Sequence, residues 1–411
     1  MQETEIKKYP ETAVKLYIGA FICMLISEML LMSMVLTTFS VMLYVRETLL
    51  LVSKILIVVK ILKYDLNQRA FLIFVGIPLF IISQIQFYTV DGRFIPTLFP
   101  MIIGSLNVDF KRIAKVYFYT ASSFLVTMFI MSIAGVIPDL QYPTVIEVLG
   151  SSVRHSFGLY YTAFLGSFGF SVMIAFIIAY NDDMTFLHYV AGLILTFLIF
   201  WACKTRVDLI CMLILWIGVF VINILKKKDF IEKKGQSNLL CKIYETVCIY
   251  SDIIAAVVMT ALTLMYDDKN SFFVRLNGIL SGRLYLGKEA FARYTPKLFG
   301  QVVQMTGNGG SVEPRENYFF IDCSYILCLL QNGIIVTLIM MLIFIIIGKR
   351  YKYNYIMLYC LALMSLNCMI AMHWDNICIN FLAVAFTASG GIELNELPFM
   401  KKLNSFIPVK K

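Results

Sequence analysis

Residues 324–352 read "SYILCLLQNGIIVTLIMMLIFIIIGKRYK". No charged side chain interrupts 324–348, and Lys349, Arg350 and Lys352 then follow within four positions. A bilayer core about 30 Å thick needs about 20 helical residues, so this run is long enough to cross one. The cations that close it are the mark of a span ending at the cytoplasmic surface. Similar runs fall at 14–38, 41–62, 70–88, 94–108, 116–137, 159–180, 185–203, 208–225, 243–265, 322–347, 355–371 and 377–397. The whole chain of 411 residues is 60% hydrophobic and only 15% charged, with a mean hydropathy of +0.80. Soluble domains carry about 25% charged residues, so a soluble globular fold is excluded. Alternating segments of about ten residues, as in a membrane barrel, are not seen. The expected fold is an all-α polytopic membrane protein of about twelve spans, within a range of ten to thirteen.

The charge pattern orients these spans. Basic clusters at Lys7-Lys8-Lys15, Lys63-Arg69, Lys111-Arg112-Lys115, Lys226 to Lys234, Lys349-Arg350-Lys352 and the tail from Lys401 all fall on one side of a twelve-span chain. The positive-inside rule makes that side cytoplasmic and puts both termini there. The net charge of +9 is then a topological signal, and nucleic acid is not an expected partner. The first run is long and lacks a small-residue cleavage site, so no cleaved signal peptide is expected. The ten cysteines are scattered without a C-x-x-C pair and are expected to be buried thiols. No phosphate-binding loop is present, so ATP is not expected to power this chain, and no cofactor or metal is expected. The chain divides into a bundle at 1–265, a large outward loop at 266–321, and further spans with a basic tail at 322–411.

That loop contains "LSGRLYLGKEAFARYTPKLFGQ", residues 280–301. Ser281 is a plausible N-cap and Pro296 a stop, which predicts an amphipathic helix over 281–295. Leu280, Leu284, Gly287, Ala290, Phe291 and Tyr294 share one face with Arg283, and Glu289 and Arg293 form an i, i+4 pair. Such a helix lies on the membrane surface with Arg283 reaching lipid phosphates, or turns Arg283 inward onto an anionic ligand. Gly287, one turn on, allows close approach. "TGNGGS" at 306–311 reads as a flexible hinge.

Arginines recur on the outward side, where basic residues near spans are usually sparse: Arg154, Arg206, Arg275, Arg283, Arg293 and Arg315. Guanidinium groups match phosphate oxygens bidentately, so Arg283, Arg206 and Arg154 are the candidates for binding a lipid diphosphate. Arg275 and Arg293 are secondary candidates or solvated loop charges. His155 and His373 are the outward histidines, with His373 beside Trp374 and Asp375 in a tight turn. His373 and Asp322 are the candidate catalytic proton acceptors. Glu28, inside the first run, is expected to serve a function or a helix–helix hydrogen bond.

The order of segments resembles the Wzy-type polysaccharide repeat-unit polymerases. The residues that carry the resemblance are Ser281-Gly282-Arg283, Leu298-Phe299-Gly300, Asp322 with Tyr325, Gly333-Ile334-Ile335, "RHSFG" at 154–158 and Thr205-Arg206. The resemblance implies a GT-C-like fold in the cytoplasmic membrane and a metal-independent glycosyl transfer at its outer face. The growing glycan would pass from undecaprenyl diphosphate to a hydroxyl of the next lipid-linked unit, beside a flippase and a chain-length regulator. Tyr325 enters the candidate set through this motif. The alternatives are a ligase that differs only in acceptor, and a lipid-linked oligosaccharide flippase. A flippase would show internal repeats, several midspan charges and small outward loops, whereas this chain has no evident repeat, few midspan charges and one dominant outward loop.

Overall fold

The computed structural model describes residues 9–90, 94–146, 150–227, 239–313 and 316–406. Lys7, Lys8, Arg315 and the lysine run from Lys228 to Lys234 lie outside the described residues. In chain order, α1 (Glu11–Leu31) and α2 (Met42–Lys60) are followed by α3 (Arg69–Thr89), the short α4 (Phe94–Gly104) and α5 (Phe110–Ile133). An antiparallel ribbon of β1 (Gln141–Ile146) and β2 (Gly150–His155) leads to α6 (Thr162–Tyr180), α7 (Phe186–Cys203) and α8 (Arg206–Lys227). α9 (Leu239–Ile249) meets α10 (Ser251–Met265) at a 62° bend. α11 (Ser271–Ile279) and α12 (Arg283–Arg293) come next, before α13 (Ser324–Arg350), α14 (Tyr355–Cys368) and α15 (Pro398–Phe406).

Among the described residues, α1, α3, α5, α6, α7, α8 and α13 are each long and apolar enough to cross a membrane, and the bent pair α9–α10 is an eighth candidate. The protein is a helical multi-pass membrane protein. Four of the twelve expected runs depart from that pattern. α2 is 19 residues long but carries Arg46, Glu47, Lys54 and Lys60. Two of these cations turn inward: Arg46 reaches Glu28 of α1 at 3.4 Å, and Lys60 donates to Asp65 at 2.7 Å and to the Leu106 carbonyl at 2.9 Å. Pairing of this kind is what a buried charge requires, and it gives Glu28 its partner. α4 and α14 have 11 and 14 residues. At 1.5 Å per residue both are far shorter than a 30 Å core.

The fourth departure is larger. Residues 377–397, expected as the last span, contain no α-helix; they are turns with 3-10 segments at Phe381–Phe386 and Leu394–Glu396, and 377–388 are buried throughout. Non-helical backbone at membrane depth must find its hydrogen bonds inside the protein. Here side chains supply them. Tyr117 donates to the Cys378 carbonyl at 2.5 Å, and Ser105 donates to that of Val384 at 2.8 Å. The fully buried Arg350 donates to the carbonyls of Ile392, Ala385, Phe386 and Ala388 at 2.8, 2.8, 2.6 and 2.7 Å. The ring of Phe381 stacks between Tyr117 and Phe110. An apolar composition alone does not distinguish such a plug from a span.

Two sets of loops gather at opposite ends of the bundle. One end ties Glu11 to Arg112, Lys111 to Asp182, and Asn223 to Asn181. At the other end, Met34 pairs with Gly158, Tyr142 with Asn308, and Gly310 with Tyr160. The glycine run at 306–311 is therefore pinned against Tyr160, instead of hinging freely, and Thr306 bridges to Phe319.

Candidate functional site

α12 starts two residues later than the sequence suggests. Gly282, in the left-handed region at φ +87°, stands at its N-cap, and Ser281 provides no cap. The free N–H groups of Leu284 and Tyr285 instead donate to Asn277 Oδ1 of α11, at 3.0 and 3.1 Å. Capping from the preceding helix fixes the angle between α11 and α12. The apolar face of α12 then packs on protein and not on lipid. Leu284, Gly287 and Ala290 are buried, and a Cβ at Gly287 would lie 2.8 Å from Thr263 of α10 and 3.1 Å from Ile326 of α13. Glu289 and Arg293 pair as expected, and Arg293 lies 4.1 Å over the Phe319 ring.

The rest of the loop grips a break in α13. The helix loosens at Cys328–Asn332 and turns at Gly333, where φ is +90°. Residues 297–301 fill this break. The Gln301 N–H donates to the Gln331 carbonyl at 2.9 Å, and the Ile334 and Ile335 N–H groups donate to the carbonyls of Lys297 and Leu298. Gln86 of α3 bridges both sides, donating to the Phe299 and Asn332 carbonyls at 2.7 and 3.0 Å. A Cβ at Gly300 would meet the Gln331 carbonyl at 2.1 Å, so only glycine fits there. Two segments far apart in the chain, 298–300 and 333–335, are thus one structural unit.

With α12 and α13 so fixed, Arg283 points into a polar cluster. Its Nη2 lies 3.2 Å from Asp322 Oδ2, its Nε donates to the Ile370 carbonyl at 3.1 Å, and its Nη1 donates to that of Ser281 at 3.2 Å. Both side chains keep roughly a fifth to a quarter of their surface exposed, at 22% and 25%. Burial pushes the Asp322 carboxyl above the ordinary carboxylate range, and the Arg283 charge offsets part of that. Arg154, on β2 opposite Tyr142, approaches from the other side. Its Nε donates to the Cys203 carbonyl at 2.9 Å, and it stands 5.8 Å over the Tyr161 ring. Arg283 and Arg154 both lie within electrostatic reach of Asp208 in the first turn of α8. Asp208 in turn accepts from Asn367 at 3.0 Å. Tyr318 is in reach of Arg283, Asp322 and Tyr161. Two arginines, two carboxylates and two phenols therefore converge at one end of the bundle, held by α8, α12, the ribbon and the chain leading into α13.

The other expected residues fall outside it. His373 is buried in the turn after α14, where its Nε2 meets Ser167 Oγ at 2.7 Å. Burial pushes its pKa down from 6.5 to about 4, so it is neutral and enclosed, and cannot reach a proton at the exposed cluster. Arg206 and Arg275 are exposed, and among the described residues no hydrogen bond or ion pair joins them to the cluster. Tyr325 is enclosed, donating to Asp252 at 3.0 Å and to the Ser365 carbonyl at 2.9 Å, with its ring 5.0 Å from Trp374. His155 pairs with Asp139 at 2.5 Å and stacks on Phe157. Asp208, Tyr161, Tyr318 and Asn367 are the cluster members that sequence reasoning missed. Only Asp208, an acid opening an apolar run, left a signal that could have been noticed.

The neutral His373 implies a pH effect whose sign follows from its lowered pKa. The unfolded chain binds a proton near pH 6.5 and the folded one only near 4, so this contribution to stability is present above about pH 6.5 and is lost as pH falls toward 4. At most about 3 kcal/mol is at stake. The melting midpoint in detergent should fall between pH 7 and 4.5, and His373→Gln should flatten that fall.

The fold and the cluster define a multi-pass membrane protein with a partly exposed arginine–carboxylate site at one end of its helices. Comparison of the chain with protein-family models, with curated proteins and with solved structures finds no match.

Proposed function

We propose that the protein is a polysaccharide repeat-unit polymerase of the cytoplasmic membrane, with the cluster end facing outward and both termini inside. It joins undecaprenyl-diphosphate-linked oligosaccharides. The observation that supports this reading best is the convergence of Arg283, Arg154 and Asp322 at the end away from the ion pairs of Arg112 and Lys111. Arg283 and Arg154 hold the diphosphate oxygens and take up the negative charge that develops as the sugar leaves. The bond from the sugar's anomeric carbon to the diphosphate oxygen breaks, and its electron pair stays with the lipid diphosphate. A hydroxyl of the next lipid-linked unit forms the new bond, and its proton passes to Asp322. Burial raises the carboxyl's affinity for that proton, which suits a base working near neutral pH. In this reading His373 is a packing residue, and Asp208 with Asn367 positions the arginines from below. A ligase would use the same groups with a different acceptor.

The surface glycan of a strain lacking the protein tests the proposal. A single capped repeat unit in place of a ladder is the expected result. An unmodified ladder would overturn it.

A further inference from the structure

The break in α13 faces a carboxylate without a counter-charge. Asp375, in the turn after α14, accepts from Asn332 Nδ2 at 2.7 Å and from its own backbone N–H, and among the described residues it forms no ion pair. A carboxylate offers about four acceptor positions, so roughly half of these stay open. Set among buried neighbours, such a charge is costly until a proton or a cation joins it. The groups beside it supply oxygens and no cation. Gln86 spends its Nε2 on the Phe299 and Asn332 carbonyls and keeps a buried Oε1 that has no partner among the described residues. Asn380 donates to the carbonyl of Trp374, the residue before Asp375, at 3.1 Å and likewise keeps a buried, unpartnered Oδ1. Asn332 closes the upper half of the broken helix, 324–332, at the negative end of its dipole.

We infer that Asp375 anchors a site for a small monovalent cation at the break in α13, with Asn332 and Gln86 as its neutral partners. Oxygen-only surroundings suit a hard cation, and one carboxylate among neutral amides suits a single charge, since divalent sites draw on more carboxylates. Broken spans that offer a carbonyl end are also where membrane proteins hold Na⁺. Among the described residues no group of three or more His, Cys, Asp or Glu side chains could hold a metal ion, which sets transition metals aside. Asp375 keeps part of its surface exposed, so an ion can enter. On binding, the Asn332 amide turns over to present Oδ1 in place of Nδ2. The same turn lends the Ile370 carbonyl to Arg283 Nε and the Ala371 carbonyl to Ser324 Oγ. An occupied site therefore steadies the anchor of Arg283, although the cation takes no part in the proposed transfer.

The full-length protein in detergent is melted at constant ionic strength while NaCl replaces choline chloride, and binding of radiolabelled Na⁺ is measured on the same preparation. The expected result is saturable binding of a single ion per chain and a rise in the melting midpoint of about 2–4 °C. Asp375→Asn keeps an acceptor for Asn332 and removes the charge. It should melt no lower than the parent in choline chloride, and it should neither bind Na⁺ nor respond to it. Asp322→Asn should keep both responses, which separates this site from the arginine cluster. Na⁺ binding that survives in Asp375→Asn, or a larger shift with Mg²⁺ than with Na⁺, would overturn the inference. So would a parent protein indifferent to Na⁺, since a proton would then hold the place of the cation. None of these readouts involves a glycan, so the site stands or falls apart from the polymerase reading.

Discussion

An Arg283→Lys protein is expected to accumulate normally in the membrane and to make less than about one-hundredth of the long polymer, the scale set by losing one preorganised donor to developing charge. The reason lies in how the guanidinium is divided. Its Nε and Nη1 are anchored on the Ile370 and Ser281 carbonyls, and Nη2 faces Asp322. Five N–H donors in one plane leave two for an anionic substrate. An ammonium keeps the charge but cannot hold both carbonyls, the carboxylate and a phosphate oxygen in fixed directions. Asp322 retains a cation nearby, so the fold should survive. Glycan ladders from a complemented deletion strain, read beside an immunoblot of the membrane fraction, check this. A full-length ladder at normal protein levels would sink the diphosphate role of Arg283.

The largest effect on stability is expected at the other end of the protein. Arg350→Met should lower the thermal midpoint in detergent sharply and reduce accumulation in cells. Methionine fills the aliphatic space of arginine but leaves the carbonyls of Ala385, Phe386, Ala388 and Ile392 without their donor. Each buried group left unsatisfied costs about 1–3 kcal/mol. Even partial relaxation therefore leaves a loss of several kcal/mol, a large share of any protein's net stability. Of the ten cysteines, only Cys23 is not buried, so reaction with a thiol-specific dye on heating reports unfolding. An unchanged midpoint would show that the segment 377–397 holds itself together without Arg350.

The two sites show where sequence reasoning reached and where it stopped. Asp322 was legible as a charged residue at the margin of an apolar run, and Arg283 as a cation on the apolar face of an amphipathic stretch in the outward loop. Glu28 was legible as an acid inside an apolar run, and its partner Arg46 only in space. His373 misled because a histidine next to a carboxylate in a turn has the composition of a base. Its burial against Ser167 depends on how α6 and α13 close over that turn. Tyr318 had no local pattern to mark it, and Asp208, although an acid opening an apolar run, joins the cluster only across gaps of many residues.

By itself the sequence determined that the chain crosses a membrane several times, because uncharged runs of span length have no soluble alternative. It also marked 266–321 as the main polar elaboration, with an amphipathic helix bearing Arg283 on its apolar face; that this face turns inward came from the tertiary structure. Tertiary structure alone decided that 377–397 is not a span and that 377–388 form a buried, non-helical plug. Hydrophobicity measures only the preference to leave water, and a protein interior and a lipid core satisfy that preference equally. What separates them is the partner of each backbone carbonyl, and Arg350, Ser105 and Tyr117 supply those partners from elsewhere in the chain. The same rule brought Arg154 to Arg283: a side chain's neighbours are set by packing, over distances that no sequence period records.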